Sequence, residues 1–93
     1  MNRDLTLFAD GFDDAIIGYV YDKTSHVHRI VYDQQRMIET LMLRDDMSVD
    51  DAMEYLEFNT WDAYAGKGTP LYVTLWNDRK EMEEYLLTNT INE

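Results

Sequence analysis

The chain has no cysteine, one proline, four glycines, two histidines, two serines and only eight basic residues in its 93 positions. The missing cysteine excludes a disulfide scaffold, a thiolate zinc site and a cysteine nucleophile together. Eight Lys and Arg against 19 Asp and Glu leave a formal charge of −11 and a pI near 4.3. Gripping nucleic acid requires cations that displace phosphate counterions, so direct nucleic-acid binding is not expected. No apolar run approaches the ~20 residues of a membrane span, and an acidic surface is repelled by anionic headgroups. The first ten residues show no basic region followed by a long apolar stretch, so no secretory signal is read. A cytoplasmic protein without membrane contact is the expectation. What is present is 45% hydrophobic and 13% aromatic residues, enough to fold rather than behave as an acidic disordered tail. The length suits a single domain over residues 1–93.

Periodicity divides the chain into six elements. After a turn at 10–14 (DGFDD), residues 15–21 (AIIGYVY) are β-branched and aromatic, the composition of a strand. The polar DKTS at 22–25 and the run VHRIVY at 27–32 complete a hairpin with a four- or five-residue loop, its register left open by the loop length. Gly18 in mid-strand points to a bulge or a close backbone approach. Asp33 then suits a helix N-cap, followed by Met37, Ile38, Leu41 and Met42 on one face. Arg44-Asp45-Asp46 breaks that pattern. Ser48 to Asp51 resembles a capping box, opening a second helix with Val49, Ala52, Met53 and Leu56 as its stripe and Asn59 as its stop. A short connection between the two predicts a helical hairpin. Residues 60–69 form a loop, 71–76 alternate as a strand, and Asn77 can cap a last helix to about Leu87 that buries Met82, Tyr85 and Leu86. The predicted fold is α+β: a small antiparallel sheet (hairpin plus one strand) with a helical hairpin and a C-terminal helix, in the order β-β-α-α-β-α.

The strings DGFDDAIIGY (10–19), VYD (31–33), MIETLM (37–42) and MSVDDAMEYLEFNTWDAYAGKGTPLYV (47–73) resemble a family of small proteins of unassigned activity. Members occur in tailed-bacteriophage genomes and in bacterial genomes that carry phage genes. The similarity covers about two-thirds of the chain, residues 10–73, and its most distinctive pieces are Asp10-Gly11-Phe12-Asp13, Glu57-Phe58-Asn59 and the turn at 66–70. The resemblance implies a phage-type accessory protein working in host cytoplasm. It brings no catalytic residue, and the last helix lies outside it.

Few residues are arranged for chemistry. His26 and His28 stand at H-x-H spacing, which on a strand puts both rings on one face; the plainer reading leaves His26 ending a turn and His28 half-exposed beside it. Asp10, Asp13 and Asp14 crowd a turn with Gly11 but lack the alternating ligands and closing Glu of a calcium loop. The Gly66-Lys67-Gly68-Thr69 segment lacks P-loop spacing and leads to a strand. Ser48 is occupied as a cap and Ser25 lies in a turn. No two carboxylates share an apolar setting that would raise a general acid's pKa. An enzyme is not expected, and no cofactor.

Surfaces remain. Alternation places Tyr72 and Trp76 on the outer sheet face, and the hairpin adds Tyr19 and Tyr21. A sheet apolar on both faces is usually covered on both, here by the N-terminal Leu5-Leu7-Phe8 segment, by the last helix, or by another chain. The second surface is acidic: residues 45–62 hold seven acids and no base. Asp50, Glu54 and Glu57 repeat about every 5–6 Å along a helix, near the spacing of phosphates on a strand. The expected function is therefore a non-enzymatic accessory protein that binds a host or phage protein. Its contact is either the aromatic face (Tyr19, Tyr21, Tyr72, Trp76) or the acidic hairpin (Asp46, Asp50, Glu54, Glu57), the latter inhibiting a nucleic-acid-binding partner by carboxylate mimicry. Two alternatives stand beside it. One is a structural homo-oligomer, such as a homodimer through the sheet. The other is a small metal-dependent protein using Asp10, Asp13, Asp14 and His28.

Overall fold

Strands β1 (Ile16–Asp22) and β2 (Val27–Asp33) open the sheet in a computed structural model that describes residues 5–90. Asp22 organises the turn between them. Its carboxylate accepts from the backbone N–H groups of Thr24 (2.9 Å) and Ser25 (3.3 Å), its carbonyl accepts from the His26 N–H (2.7 Å), and Arg29 pairs with it at 3.4 Å. His26 closes the turn at a φ of 60°. Ile16 pairs with Tyr32 but Gly18 with Val31, so a bulge at Ile17 advances β1 by one residue, as Gly18 suggested.

The third strand corrects the expected sheet. β3 (Leu71–Val73) runs parallel to β2, pairing Leu71 with Val31 and Val73 with Asp33, so the sheet is mixed, in the order β1-β2-β3. The long segment between the second helix and Pro70 carries the chain back along the sheet, which a parallel neighbour requires. β3 is also shorter than the alternation at 71–76 predicted. Its partner β2 leaves the sheet at Asp33 to begin a helix, so residues beyond Val73 have no ladder to join; Thr74 instead donates its hydroxyl to Gln34 (2.9 Å).

Both predicted caps start helices. Asp33, buried, accepts from the Gln35 N–H (2.9 Å) and opens α1 (Gln34–Arg44). Ser48 accepts from the Asp51 N–H (3.1 Å) and opens α2 (Val49–Leu56). Between them Asp46 takes a φ of 56°, and the N–H groups of Asp45 and Met47 both donate to the Leu41 carbonyl. The end of α2 differs from expectation. Asn59 does not turn left-handed; the helix widens into a π-helical turn, Glu57–Trp61, with the Asn59 amide donating to the Tyr55 carbonyl (2.9 Å). The last helix, α3 (Arg79–Thr90), is capped one residue later than predicted, by Asp78, whose carboxylate accepts from the Lys80 N–H (2.9 Å). Its expected buried side is also corrected: Met82 is half-buried, whereas Tyr85 and Leu86 are 49% and 45% exposed.

The core lies where β2 meets α1 and α2. Phe12, Ala15, Tyr32, Met37, Ile38, Leu41, Ala52 and Leu56 form it, with Ile16, Ile30, Trp61 and Tyr72 packed against its margin. Val49 and Met53 of the predicted α2 stripe stay exposed at its edge. The N-terminal segment is tied down by polar contacts rather than by burial. The Thr6 hydroxyl donates to the His28 carbonyl (2.9 Å), the Leu7 N–H to the Gly68 carbonyl (3.1 Å), and the Ala9 N–H to the Tyr32 hydroxyl (2.7 Å). Gly68 permits this approach, because a Cβ there would fall on the Leu5 carbonyl.

Candidate functional site

The four aromatic residues expected on one outer face separate into three places. Tyr72 is a correction: it stands level with Tyr32 across the parallel pair, its ring 5.6 Å from the Tyr32 ring, and packs against the core. Alternation finds two faces of a strand but not which of them the helices cover. Trp76 is a second correction. It lies three residues past β3 and meets Tyr85 of α3, ring to ring at 5.5 Å, so it belongs to no sheet face.

Tyr19 and Tyr21 do stand together. Counting from the ladder, Tyr19, Tyr21 and His28 share the face that further along carries Ile30 and Tyr32 into the core. At this end of the hairpin no helix among the described residues covers that face. Tyr19 is 68% exposed and Tyr21 47%, and both rings meet His28 edge-on at 5.4 and 5.1 Å. The Tyr21 hydroxyl also lies 3.3 Å from the His26 Nδ1. The two histidines therefore take different positions, one in the turn and one on the strand.

The acidic surface is built by α2 and its π-helical extension. Ala52 and Leu56 face the core, which leaves Asp50, Asp51, Glu54 and Glu57 outside, all exposed. Asp46 is exposed at the left-handed turn before the Ser48 cap. Two side chains that are not among the expected contact residues lie among the acids: Tyr55, 43% exposed, and Phe58, 82% exposed. With Met47, Asp51, Glu54 and Asn59 they line an open groove. α-Helical periodicity does not mark Phe58 as a contact residue, because the π-helical turn Glu57–Trp61 re-aims the side chains within it.

Asp10, Asp13 and Asp14 are exposed around the turn before β1, and among the described residues no three His, Asp or Glu side chains converge on a metal-sized site. Asp10 and Asp13 act elsewhere. Burial raises the Tyr32 phenol above its ordinary value, the Ala9 N–H lowers it in part, and the two carboxylates raise it further. Tyr72 is raised by burial and by its neighbour Tyr32. Asp22 is lowered chiefly by the Ser25 amide, against a smaller desolvation effect, with Thr24 and Arg29 assisting.

Ser25 and Ser48 are engaged as donors and caps, Ser25 through Asp22 and Ser48 through Asp51. No family model, curated protein or solved structure matches the chain.

Proposed function

We propose that this chain is a non-enzymatic, phage-type accessory protein that binds a host or phage protein through the acidic surface of α2 and its π-helical turn. The observation that carries the reading is the exposure of Asp50, Asp51, Glu54 and Glu57 together with Tyr55 and Phe58, in a stretch without a single base. Carboxylates steer a cationic partner and fix its register, while an aromatic side chain supplies the contact energy that exposed charges lack. The partner is then a protein with a basic surface, of the kind that holds nucleic acid, and occupation of that surface by carboxylates inhibits it. The resemblance to phage-encoded proteins supports a setting in host cytoplasm.

The test is affinity capture from host lysate with the wild-type chain and with Asp50→Asn/Glu54→Gln/Glu57→Gln. A partner retained by the wild type, lost by the neutral variant and released between about 0.05 and 0.5 M salt fits the proposal. A partner held equally by both, at either salt concentration, would refute it.

A further inference from the structure

We propose that the cavity between the N-terminal segment, the π-helical turn and β3 receives an arginine side chain of the basic partner. The inference rests on the binding reading above and names the group that anchors it.

The cavity holds about 450 Å³, within the roughly 300–1,000 Å³ of pockets that enclose small ligands. Three stretches of chain wall it. Phe8 and Asp10 come from the N-terminal segment, Tyr55 and Asn59 from α2 and its π-helical turn, and Thr69 and Tyr72 from the approach to β3 and from β3 itself. Tyr55 and Asn59 also line the open groove among the α2 acids, so the cavity adjoins the proposed contact surface.

The hydrogen bonds already made select the chemistry of the occupant. The Asn59 amide nitrogen is committed to the Tyr55 carbonyl (2.9 Å), the Thr69 hydroxyl to the Gly66 carbonyl (2.7 Å) and the Ala9 N–H to the Tyr32 hydroxyl (2.7 Å). What stays open on the wall is acceptors. The Asn59 amide oxygen and the Asp10 carboxylate take no hydrogen bond from any described residue. Arg44 reaches the neighbouring turn but is engaged there: it donates to the Gly11 carbonyl (2.8 Å), pairs with Asp45 (3.3 Å) and stands 5.4 Å from the Phe12 ring centre. A complementary ligand therefore donates hydrogen bonds and carries positive charge.

The rings of Phe8, Tyr55 and Tyr72 choose among cations. A guanidinium is flat, stacks on aromatic rings and gives up water more readily than an ammonium. Its forked N–H groups also serve two acceptors on different walls, as Asp10 and Asn59 are, whereas an ammonium acts as a point charge. The α2 carboxylates steer the partner in, and its arginine makes the enclosed contact.

Titration of the full chain with acetyl-arginine amide at constant ionic strength, followed by NMR, tests this. The expected result is saturable shifts at Phe8, Tyr55, Asn59 and Tyr72 with a Kd of about 1–10 mM, and binding of acetyl-lysine amide at least about threefold weaker. Asp10→Asn should weaken the arginine amide about fivefold and Tyr55→Leu about threefold. Asp50→Asn/Glu54→Gln/Glu57→Gln should change it by less than about twofold, since those carboxylates lie outside the cavity. The substituted positions are exposed, and circular dichroism checks that each variant folds. A partner captured from lysate should also be held several-fold less by Asp10→Asn. Shifts confined to the α2 acids, equal affinity for the two amides, or no saturable shift up to about 50 mM overturn the proposal. So does indifference of the arginine amide to Asp10→Asn and Tyr55→Leu, or a captured partner held equally by Asp10→Asn. If the titration succeeds and capture retains no basic partner, the guanidinium site stands and the partner reading falls; if capture succeeds and the titration fails, the cavity reading falls alone.

Discussion

Gly68 shows how much one missing side chain decides. Its bare Cα lets the Leu5–Leu7 backbone lie directly on the turn that precedes β3, and a methyl group there would occupy the Leu5 carbonyl. Gly68→Ala should therefore lift the N-terminal segment and cost about 1–3 kcal/mol, read from a lower midpoint in urea at unchanged slope. The turn has a second keystone in Thr69, buried, whose hydroxyl donates to the Gly66 carbonyl (2.7 Å) and accepts from the Ala65 N–H (2.9 Å), while its carbonyl takes the Arg29 Nε (2.7 Å). Tyr32 and Tyr72 give the molecule an alkaline limit. Both phenols have folded pKa values raised above their ordinary value, so the folded state holds protons that the unfolded chain releases. Their contribution is fully present below about pH 10 and is lost as pH rises through the folded values. An alkaline denaturation followed by circular dichroism should show stability falling above about pH 10, and less steeply in Tyr72→Phe. The sequence alone marked Gly18 as a bulge residue but gave no sign of Gly68, because a close approach depends on a chain segment some sixty residues away.

At the scale of elements, local chemistry was legible and long-range pairing was not. Asp33 and Ser48 were readable as caps because a cap is a contact within three residues, and the structure uses both. Asp33→Ala and Ser48→Ala should each cost about 1 kcal/mol, with the Asp33 change the larger because that side chain is buried, as thermal melts can measure. The direction of β3 is not legible in the sequence, because a helical hairpin alone would return the chain to the end of β2 where it began and so predict an antiparallel strand. Here the π-helical turn and the loop after it carry the chain past that point to Val31. The carboxylates of α2 were found by composition, whereas Phe58 was not, since its exposure follows from the change of helical pitch. For α3, a stripe of Met82, Tyr85 and Leu86 signalled burial that the fold does not provide, and its ring contact is that of Tyr85 with Trp76. A chain ending at Asp78 should lose little in melting temperature, because a helix of about twelve residues adds little stability when so few of its side chains are buried. Circular dichroism would show the lost helix, and Trp76 emission would report the loss of Tyr85.

The molecule as a whole is more open than its length requires. Its radius of gyration is 14.8 Å, against about 12 Å for a compact chain of this size. Its accessible surface is 7129 Å², against about 5,700 Å². The core at β2, α1 and α2 leaves the hairpin end and most of α3 exposed, each with aromatic residues at the surface. With a charge of −11 over so small a body, self-repulsion opposes the folded state, and added salt should raise the melting temperature by screening it. A scan at two ionic strengths checks this, and a fall with salt would contradict it. The clamped N-terminal segment has a consequence for synthesis. Leu5, Thr6 and Leu7 are made before the residues they rest on: His28 follows by about twenty residues, and Gly68 by about sixty. At ~5–20 residues per second a ribosome needs roughly three to twelve seconds to supply that seat. For that interval the segment holding Leu5, Leu7 and Phe8 can reach only β2, through Thr6 and Ala9, and the clamp against Gly68 is the last of its contacts to become possible.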